Sequence, residues 1–344
     1  MILVMKPAAS QSQISQIIEK LETLSFQVHR STGVNYTILA ALGPERELNL
    51  QSLTQLEGVE RVFHTDKPYK LAARQFKPNG TVIEVGPVRI GDQTPVVVAD
   101  VSHFNSFAQI ENTAKALRGC GIHMLRWGSS RAEANLRALK EPSNLELRQI
   151  ASIARWQHFV IVADVSDRTE LERMGDHADI FQIGSHNMQN ANLLRAAGRM
   201  GKPVLLERAI AGEMEEFLLA AEYVMSTGNY SVILCERGIR SFNDYAPLLF
   251  DVSLIPVIKA LSHLPVLADP SHVVGRSDHL AAVALAGIAA GADGLILPVA
   301  AESGEILRNS LPALGTKALN ELLERVRVLS SGLRRGTFHE VSTV

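Results

Sequence analysis

From residue 95 onward, the sequence alternates between short apolar runs and longer amphipathic stretches. The runs show little polar alternation, which is typical of strands covered on both faces of a parallel sheet. Each run is followed by apolar positions at helical spacing, and eight such units over roughly 250 residues predict a (β/α)8 TIM barrel of the α/β class. A doubly wound open sheet is the alternative. The predicted strands are Val96–Asp100, Ile122–Trp127, Phe159–Asp164, Asp179–Gly184, Pro203–Glu207, Val232–Glu236, Val266–Asp269 and Gly294–Val299.

Residues 1–70 show a different order of elements, which predicts an N-terminal ferredoxin-like domain. The pattern is β-α-β-β-α-β, with helices predicted near residues 14–24 and 50–56. We expect this domain to serve regulation or oligomerisation. Residues 71–94 are predicted to form a linker and a β-hairpin at the bottom of the barrel, 95–330 the barrel, and 331–344 a mobile tail. The predicted strands of the first domain are Ile2–Met5, Phe26–His29, Tyr36–Ala40 and Val59–Phe63.

The composition and charge of the chain exclude several classes of protein. The formal net charge is −2, and no basic run is present, so we expect no nucleic-acid partner. Cys120 and Cys235 are the only cysteines, too few for a disulfide framework. No secretory signal or membrane-spanning apolar stretch is evident, which predicts a soluble cytoplasmic protein without a membrane partner.

Polar side chains of useful chemistry follow the predicted strands, where a barrel places its active site. Guanidinium groups match phosphate and carboxylate ligands, and histidine and carboxylates suit acid–base work. The alternative is that strand-end arginines and carboxylates only close the barrel mouth with ion pairs. The candidate binding residues are Arg126, Arg208, Arg237, Ser185, His103 and Glu207, and the candidate catalytic residues are His272, Asp269, Asp164, Glu236 and His186.

Other residues carry no recognisable motif. We expect Cys235 to be a small packed side chain rather than a nucleophile. We expect four histidines without partner motifs to lie at the surface or at helix ends: His158, His177, His263 and His279.

Several motifs resemble those of 3-deoxy-7-phosphoheptulonate (DAHP) synthases, in particular the type with an N-terminal ferredoxin-like domain. They are Cys235-Glu-Arg-Gly-Ile-Arg-Ser-Phe242, Gln182-Ile-Gly-Ser-His-Asn-Met-Gln-Asn190, Asp269-Pro-Ser-His272, Val4-Met-Lys-Pro7 and Lys67-Pro-Tyr-Lys-Leu-Ala72. The resemblance implies condensation of phosphoenolpyruvate with erythrose 4-phosphate, assisted by a divalent metal. It also implies a homo-oligomer, with an aromatic amino acid as effector at the N-terminal domain.

The metal ligands of the resembling family are Cys, His, Glu and Asp, and most are replaced here. By motif they fall on Ser102, His272, Pro298 and Asn309, so that only His272 is kept. Hydroxyl and amide groups are poor substitutes for thiolate and carboxylate, and proline has no ligating side chain. We therefore expect no cofactor, without excluding a divalent metal.

The phosphoenolpyruvate positions implied by the resemblance are also altered. Arg131 and Glu133 stand in the loop where the family has Lys-Pro-Arg-Thr, His186 replaces an arginine, and Glu207 replaces a lysine. Arg131 is kept as a candidate binding residue. Because these changes remove positive charge, we expect phosphoenolpyruvate to bind several decades more weakly than in the family.

Three functional hypotheses follow. The first is a divergent enzyme that binds a small anionic carbonyl compound and performs metal-independent aldol-type or proton-transfer chemistry. The second is a catalytically inactive regulatory or scaffolding paralogue. The third is a genuine DAHP synthase with a rearranged metal site, whose candidate ligands are His272, His103, Asp100 and Asp164.

Overall fold

The computed structural model of the protein describes most of the chain. The described residues are 1–32, 37–43, 53–63, 67–101, 107–128, 149, 151–153, 155, 157–242, 248–274, 276–299 and 313–333.

The N-terminal residues form a four-stranded antiparallel sheet with the order β2-β3-β1-β4. This is the arrangement of a ferredoxin-like domain, as predicted. The second predicted helix falls largely outside the described residues. The elements are β1 (Ile2–Met5), α1 (Gln11–Thr23), β2 (Gln27–Thr32), β3 (Thr37–Leu42) and β4 (Val59–Phe63).

Helix α1 begins where the sequence provides a capping box. The Ser10 hydroxyl accepts a hydrogen bond from the Gln13 backbone N–H, and the Gln13 side chain accepts one from the Ser10 backbone N–H. Ile14, Ile17 and Leu21 lie on one face of the helix and are buried against the sheet. The helical period therefore gives both the element and its buried face.

The hairpin predicted within residues 71–94 is present, and it closes the bottom of the barrel. Strands β5 (Ile83–Val85) and β6 (Val88–Ile90) pair antiparallel around a turn in which Gly86 has φ = 53°. The side chains of Ile83, Val88 and Ile90 pack with the apolar residues that fill the barrel interior. The turn chemistry and the position along the chain thus predicted this plug.

Eight parallel strands form a closed barrel in the order β10-β11-β12-β15-β16-β7-β8-β9. The predicted TIM barrel is therefore confirmed, and the open sheet is excluded. In chain order the barrel strands are β7 (Val96–Asp100), β8 (Met124–Gly128), β9 (Val160–Val165), β10 (Ile180–Ile183), β11 (Val204–Glu207), β12 (Val232–Glu236), β15 (Val266–Ala268) and β16 (Gly294–Pro298). Between β12 and β15, two short strands pair with each other outside the barrel: β13 (Ile239–Arg240) and β14 (Leu248–Leu249).

Helices cover the outside of the barrel and bury its outer apolar layer. Among the described helices, none combines the length and apolar character needed to cross a bilayer. They are α2 (Phe107–Gly119), α3 (Arg168–Met174), α4 (Ala191–Arg199), α5 (Met214–Met225), α6 (Leu254–Leu261), α7 (Ser277–Ala289) and α8 (Thr316–Gly332).

Four predicted strands have the observed limits, and the others differ from the observed ones by one to three residues at one end or both. The largest difference is in β2, which continues to Thr32 rather than ending at His29. Because β2 lies at the edge of its sheet, its polar residues Arg30 to Thr32 pair with β3 without being deeply buried. Apolar runs predict burial, whereas backbone pairing sets where a strand ends.

A buried carboxylate joins the linker to the barrel. Glu222 on α5 accepts hydrogen bonds from three successive backbone N–H groups, of residues 70–72, at 2.9–3.0 Å. Burial raises the pKa of Glu222, and these hydrogen bonds oppose that rise.

A second contact connects the N-terminal sheet to the barrel. The His29 Nδ1 atom, on β2, lies 2.8 Å from the Tyr230 hydroxyl.

His263 lies at a helix end, directly after the C-cap residue Ser262 of α6, but it is not at the surface, since only 2% of it is exposed. Its Nε2 atom lies 2.7 Å from the Leu71 carbonyl oxygen, to which it donates, and its Nδ1 atom is 2.7 Å from the Thr81 hydroxyl. Burial lowers the pKa of His263 to about 4, and the nearby cations Lys77 and Arg74 also lower it. The ring is a neutral bridge between the linker, the hairpin segment and the barrel.

This burial predicts acid sensitivity. Because the unfolded state takes up a proton near pH 6.5 and the folded state only near pH 4, the free energy of unfolding should fall as pH decreases between these values. The loss attributable to His263 should reach about 3 kcal/mol. Urea unfolding at several pH values should show a flatter profile for His263→Gln. The exposed-site control His279→Gln should keep the wild-type slope, and an unchanged slope in His263→Gln would contradict the assignment.

Candidate active site

Three buried arginines lie where barrel strands end. Arg126 belongs to β8, Arg208 directly follows β11, and Arg237 directly follows β12. Their exposed fractions are 3%, 6% and 4%. Since the carboxyl ends of all eight strands meet at one end of the barrel, these side chains converge at its mouth.

Arg126 is surrounded by carboxylates from other strands. Its Nη1 atom donates to Asp269 Oδ2 at 3.0 Å and lies 3.7 Å from Glu207 Oε1. Its Nε atom lies 4.0 Å from Asp100 Oδ2 and has no hydrogen-bond partner among the described residues. Burial alone would lower the pKa of Arg126, but Asp100, Glu207 and Asp269 outweigh it and raise the pKa above its ordinary value. The guanidinium is therefore permanently charged.

Glu207 lies between two of the arginines. Its Oε1 atom accepts a hydrogen bond from Gln182 Nε2 at 2.8 Å, and its Oε2 atom accepts one from the Ser185 backbone N–H at 3.2 Å. Arg237 Nη1 is 3.6 Å from Oε2 and donates to the Ser185 hydroxyl at 2.5 Å. The carboxylate of Glu207 thus bridges the Arg126 and Arg237 guanidinium groups.

The third arginine has its own partners. Arg208 Nη1 donates to Glu236 Oε2 at 3.1 Å and to Asp251 Oδ2 at 3.0 Å, and its Nε atom donates to the Gly212 carbonyl. Burial raises the pKa of Glu236, while Arg208 and the Gly238 backbone N–H oppose that rise. These contacts fix Arg208 beside the ends of β11 and β12.

The turn Pro270–His272 positions the histidine that the sequence singled out. Asp269 precedes this turn and accepts hydrogen bonds from the Ser271 backbone N–H and hydroxyl. Its Oδ2 atom lies 3.4 Å from His272 Nε2. Burial would raise the pKa of Asp269, but His272, Arg126 and Ser271 outweigh burial and hold it well below its usual range. Asp269 is thus an ionised anchor for both Arg126 and His272.

Asp164 is the carboxylate best suited to proton transfer. It lies near the end of β9 and is paired in register with Gln182 on β10. Burial raises the pKa of Asp164 to about 7, with Glu207 adding to the rise and Arg126 opposing it. A group with this pKa exchanges protons at neutral pH, as a general acid or base must.

Comparisons with known proteins identify the family. The model described as DAHP synthase ferredoxin-like domain matches residues 1–67, and the model described as DAHP synthetase I family matches residues 71–331. The chain belongs to the DAHP synthetase I family. A phospho-2-dehydro-3-deoxyheptonate aldolase of Thermotoga maritima is 34% identical over 333 residues, which cover 97% of this chain and 98% of the relative.

Solved structures support the same family. The crystal structure of a phospho-2-dehydro-3-deoxyheptonate aldolase (DAHP synthase) from Thermotoga maritima matches with a TM-score of 0.73 and 34% identity, covering 96% of this chain and 97% of that one. A truncated form of 3-deoxy-D-arabino-heptulosonate 7-phosphate synthase from Thermotoga maritima matches with a TM-score of 0.71 and 35% identity, covering 77% and 98%. A 2-dehydro-3-deoxyphosphooctonate aldolase of Syntrophotalea carbinolica is 32% identical over 180 residues, covering 48% of this chain and 64% of the relative.

These findings correct the leading functional hypothesis. The altered residues led us to expect metal-independent chemistry and to judge the ordinary DAHP synthase reaction improbable. A relative named for that activity matches nearly the whole chain, so the third hypothesis, a DAHP synthase with a rearranged site, agrees better with the family match. A few replaced positions predict the activity less well than the similarity of both domains does.

In this member of the DAHP synthetase I family, most of the candidate site residues lie together at the barrel mouth. His186 differs, because its side chain is exposed, one residue beyond the buried Ser185. His103 and Arg131 lie outside the described residues. The connected residues are Arg126, Arg208, Arg237, Ser185, Glu207, Glu236, Asp164, Asp269 and His272.

Sequence reasoning missed two members of this network. Gln182 lies within β10 and donates to Glu207, but an amide within an apolar run gives little functional signal. Asp251 pairs with Arg208 from the segment after β14, well separated from the end of β11 in the sequence. Asp251 does not lie at the end of a barrel strand, so position in the barrel would not have found it. Cys235 is buried, as expected, and burial raises the pKa of its thiol well above the ordinary value.

The metal site that the family resemblance implies can be compared with the described residues only in part. By the resemblance, a glutamate ligand falls on Pro298, at the end of β16, and proline offers no side-chain donor. Ser102 and Asn309 lie outside the described residues. Over the part of the chain that is described, no three His, Cys, Asp or Glu side chains are grouped as metal ligands.

The Arg126 network makes a stability prediction. Arg126→Met would remove a buried cation that both the Asp269 and the Glu207 carboxylates face, and should lower the free energy of unfolding by about 3–5 kcal/mol. Arg168→Met removes an exposed arginine paired with Glu172 and should cost less than about 1 kcal/mol. Urea unfolding of both variants at neutral pH would measure the difference. Equal losses would show that the buried pairs contribute nothing special.

Proposed function

We propose that this protein is a DAHP synthase, condensing phosphoenolpyruvate with erythrose 4-phosphate, with a barrel mouth rearranged relative to the family pattern. The observation that carries the proposal is the match over 97% of the chain to a relative named for this activity. The three buried arginines at the mouth support it, because guanidinium groups suit the phosphate and carboxylate groups of these substrates.

The network suggests a role for each side chain. Arg126 and Arg237 would bind the anionic groups of phosphoenolpyruvate, and Arg208, held by Glu236, would bind a phosphate near the ends of β11 and β12. Asp164, with its pKa near 7, would hold or accept a proton. His272 would orient a substrate oxygen, with its ring position fixed by Asp269. These roles use only groups that lie at the mouth.

We also propose that the N-terminal domain regulates the barrel, responds to an aromatic amino acid and supports self-association. Its family model supports a regulatory role, and the contact between His29 and Tyr230 gives it a direct connection to the barrel. A cytoplasmic location would suit an enzyme of small phosphorylated metabolites. Binding of phenylalanine or tyrosine to the full chain, measured by calorimetry, would test the effector.

A purified-protein assay tests the proposed reaction. The full chain with both substrates should form the condensation product, detected by mass spectrometry. Parallel reactions with added manganese, added zinc or a chelator would show whether a metal is required. The variant Arg237→Met should lower kcat/KM at least tenfold, because it removes one charge-assisted contact to an anion. Absence of product from folded protein under all three conditions would refute the proposal.

Asp164 provides a second test, through pH dependence. If it transfers a proton, the pH profile of kcat should show an ionisation near 7, because burial raises its pKa to about that value. Asp164→Asn should remove this ionisation and lower kcat. Asp167→Asn is a suitable control, since Asn still caps α3, and it should keep the wild-type profile. An unchanged profile in Asp164→Asn would exclude the proton-transfer role.

A further inference from the structure

The carboxylate of Glu207 has the environment that a bound anion requires. Each oxygen faces one guanidinium and accepts from one neutral donor: Oε1 faces Arg126 and Gln182, and Oε2 faces Arg237 and the Ser185 backbone N–H. Only 2% of Glu207 is exposed. Two cations and two fixed neutral donors form a typical site for a phosphate or carboxylate group, and here the chain itself supplies the anion.

Both neutral donors are fixed by the barrel. Gln182 belongs to β10, which pairs directly with β11, where Glu207 is the last residue. Ser185 begins the turn that follows β10, and its hydroxyl accepts a hydrogen bond from Arg237. Because neighbouring strands and one short turn place all these groups, the site around the Glu207 carboxylate exists without any ligand.

The carboxylates around Arg126 oppose the binding of an anionic substrate. Besides Glu207, three other carboxylates act on Arg126: those of Asp100, Asp164 and Asp269. An incoming phosphate would therefore meet a guanidinium that is already neutralised, and it would be repelled by Glu207 at close range. The substrate and Glu207 compete for the same two guanidinium groups.

We propose that Glu207 is a built-in competitor of the substrate anion, and that it sets the affinity of the mouth for phosphoenolpyruvate. This inference rests on the proposed function for the identity of the ligand, a small molecule carrying phosphate and carboxylate groups. The substrate binds Arg126 and Arg237 only when the Glu207 side chain leaves its position between them. Glu207 is thus a specificity-determining residue: it excludes weakly binding anions and admits a ligand with further contacts to the mouth.

Calorimetric titration of inorganic phosphate and of phosphoenolpyruvate into the full chain tests this role. Glu207→Gln keeps the size of the side chain and an oxygen acceptor, but removes the negative charge. The variant should bind both ligands at least tenfold more tightly than the wild type, because the negative charge that competes for the Arg126 and Arg237 guanidinium groups is removed. A merely structural role for Glu207 would predict weaker binding, since damage to a site does not increase its affinity.

Glu222→Gln is the matched control. Glu222 is also a buried glutamate that accepts backbone N–H groups, but it contacts residues 70–72 rather than the mouth arginines. Its substitution should leave both dissociation constants unchanged. If Glu207→Gln does not fold, Glu207→Ala replaces it with the same expectation.

Equal or weaker binding of both anions by the folded Glu207 variant would overturn the inference. Equal tightening in Glu222→Gln would also overturn it, since net charge alone would then explain the effect. The titrations need no turnover, so they are independent of the proposed reaction. Tighter phosphate binding by a protein that forms no product would keep the role of Glu207 and reject the DAHP synthase assignment.

Discussion

The burial of guanidinium and carboxylate groups at the carboxyl ends of the strands is the constraint on which the barrel mouth depends. Arg126 contacts or faces carboxylates from β7, β11 and the turn after β15, so that strands distant in the sequence share one network. A buried charge without its partner costs several kcal/mol, and therefore each member requires the others. The closed barrel makes this possible, because its geometry brings all eight strand ends to one rim. The same constraint fixes Asp269, which in turn positions His272.

The fold could be predicted from the sequence because the barrel is periodic. The run from Val232 to Cys235 is apolar at every position, because its side chains alternate between the barrel interior and the layer that the helices cover. Strand limits were less predictable where a strand lies at a sheet edge, as for β2. His263 shows a second limit: its neutral, buried state depends on the Leu71 carbonyl and the Thr81 hydroxyl, and neither partner is apparent from the residues beside it in the sequence.

Part of the candidate site was predictable because the barrel fold fixes where the strands end. Barrel topology places the end of every strand at the mouth, so position alone selected Asp164, Arg126 and Glu236. Partner choice was not predictable, because it depends on distances across the barrel. The bridge of Glu207 between two arginines, and the contact of Asp251 with Arg208, are properties of the closed structure. His186 differs from these residues because its side chain is exposed, so its catalytic role stays a prediction from the motif alone.

Glu207 also shows what a replaced charge does not reveal about the mouth. From the sequence alone, a glutamate where the resemblance implies a lysine is only a loss of positive charge. In the structure the carboxylate is held by Gln182 and the Ser185 backbone N–H, and it neutralises two buried arginines that would otherwise be costly to keep. Its charge is therefore part of the stability of the mouth. An anion that replaces Glu207 there restores the same neutralisation, so the substitution changes how strongly a ligand must bind without removing the groups that bind it.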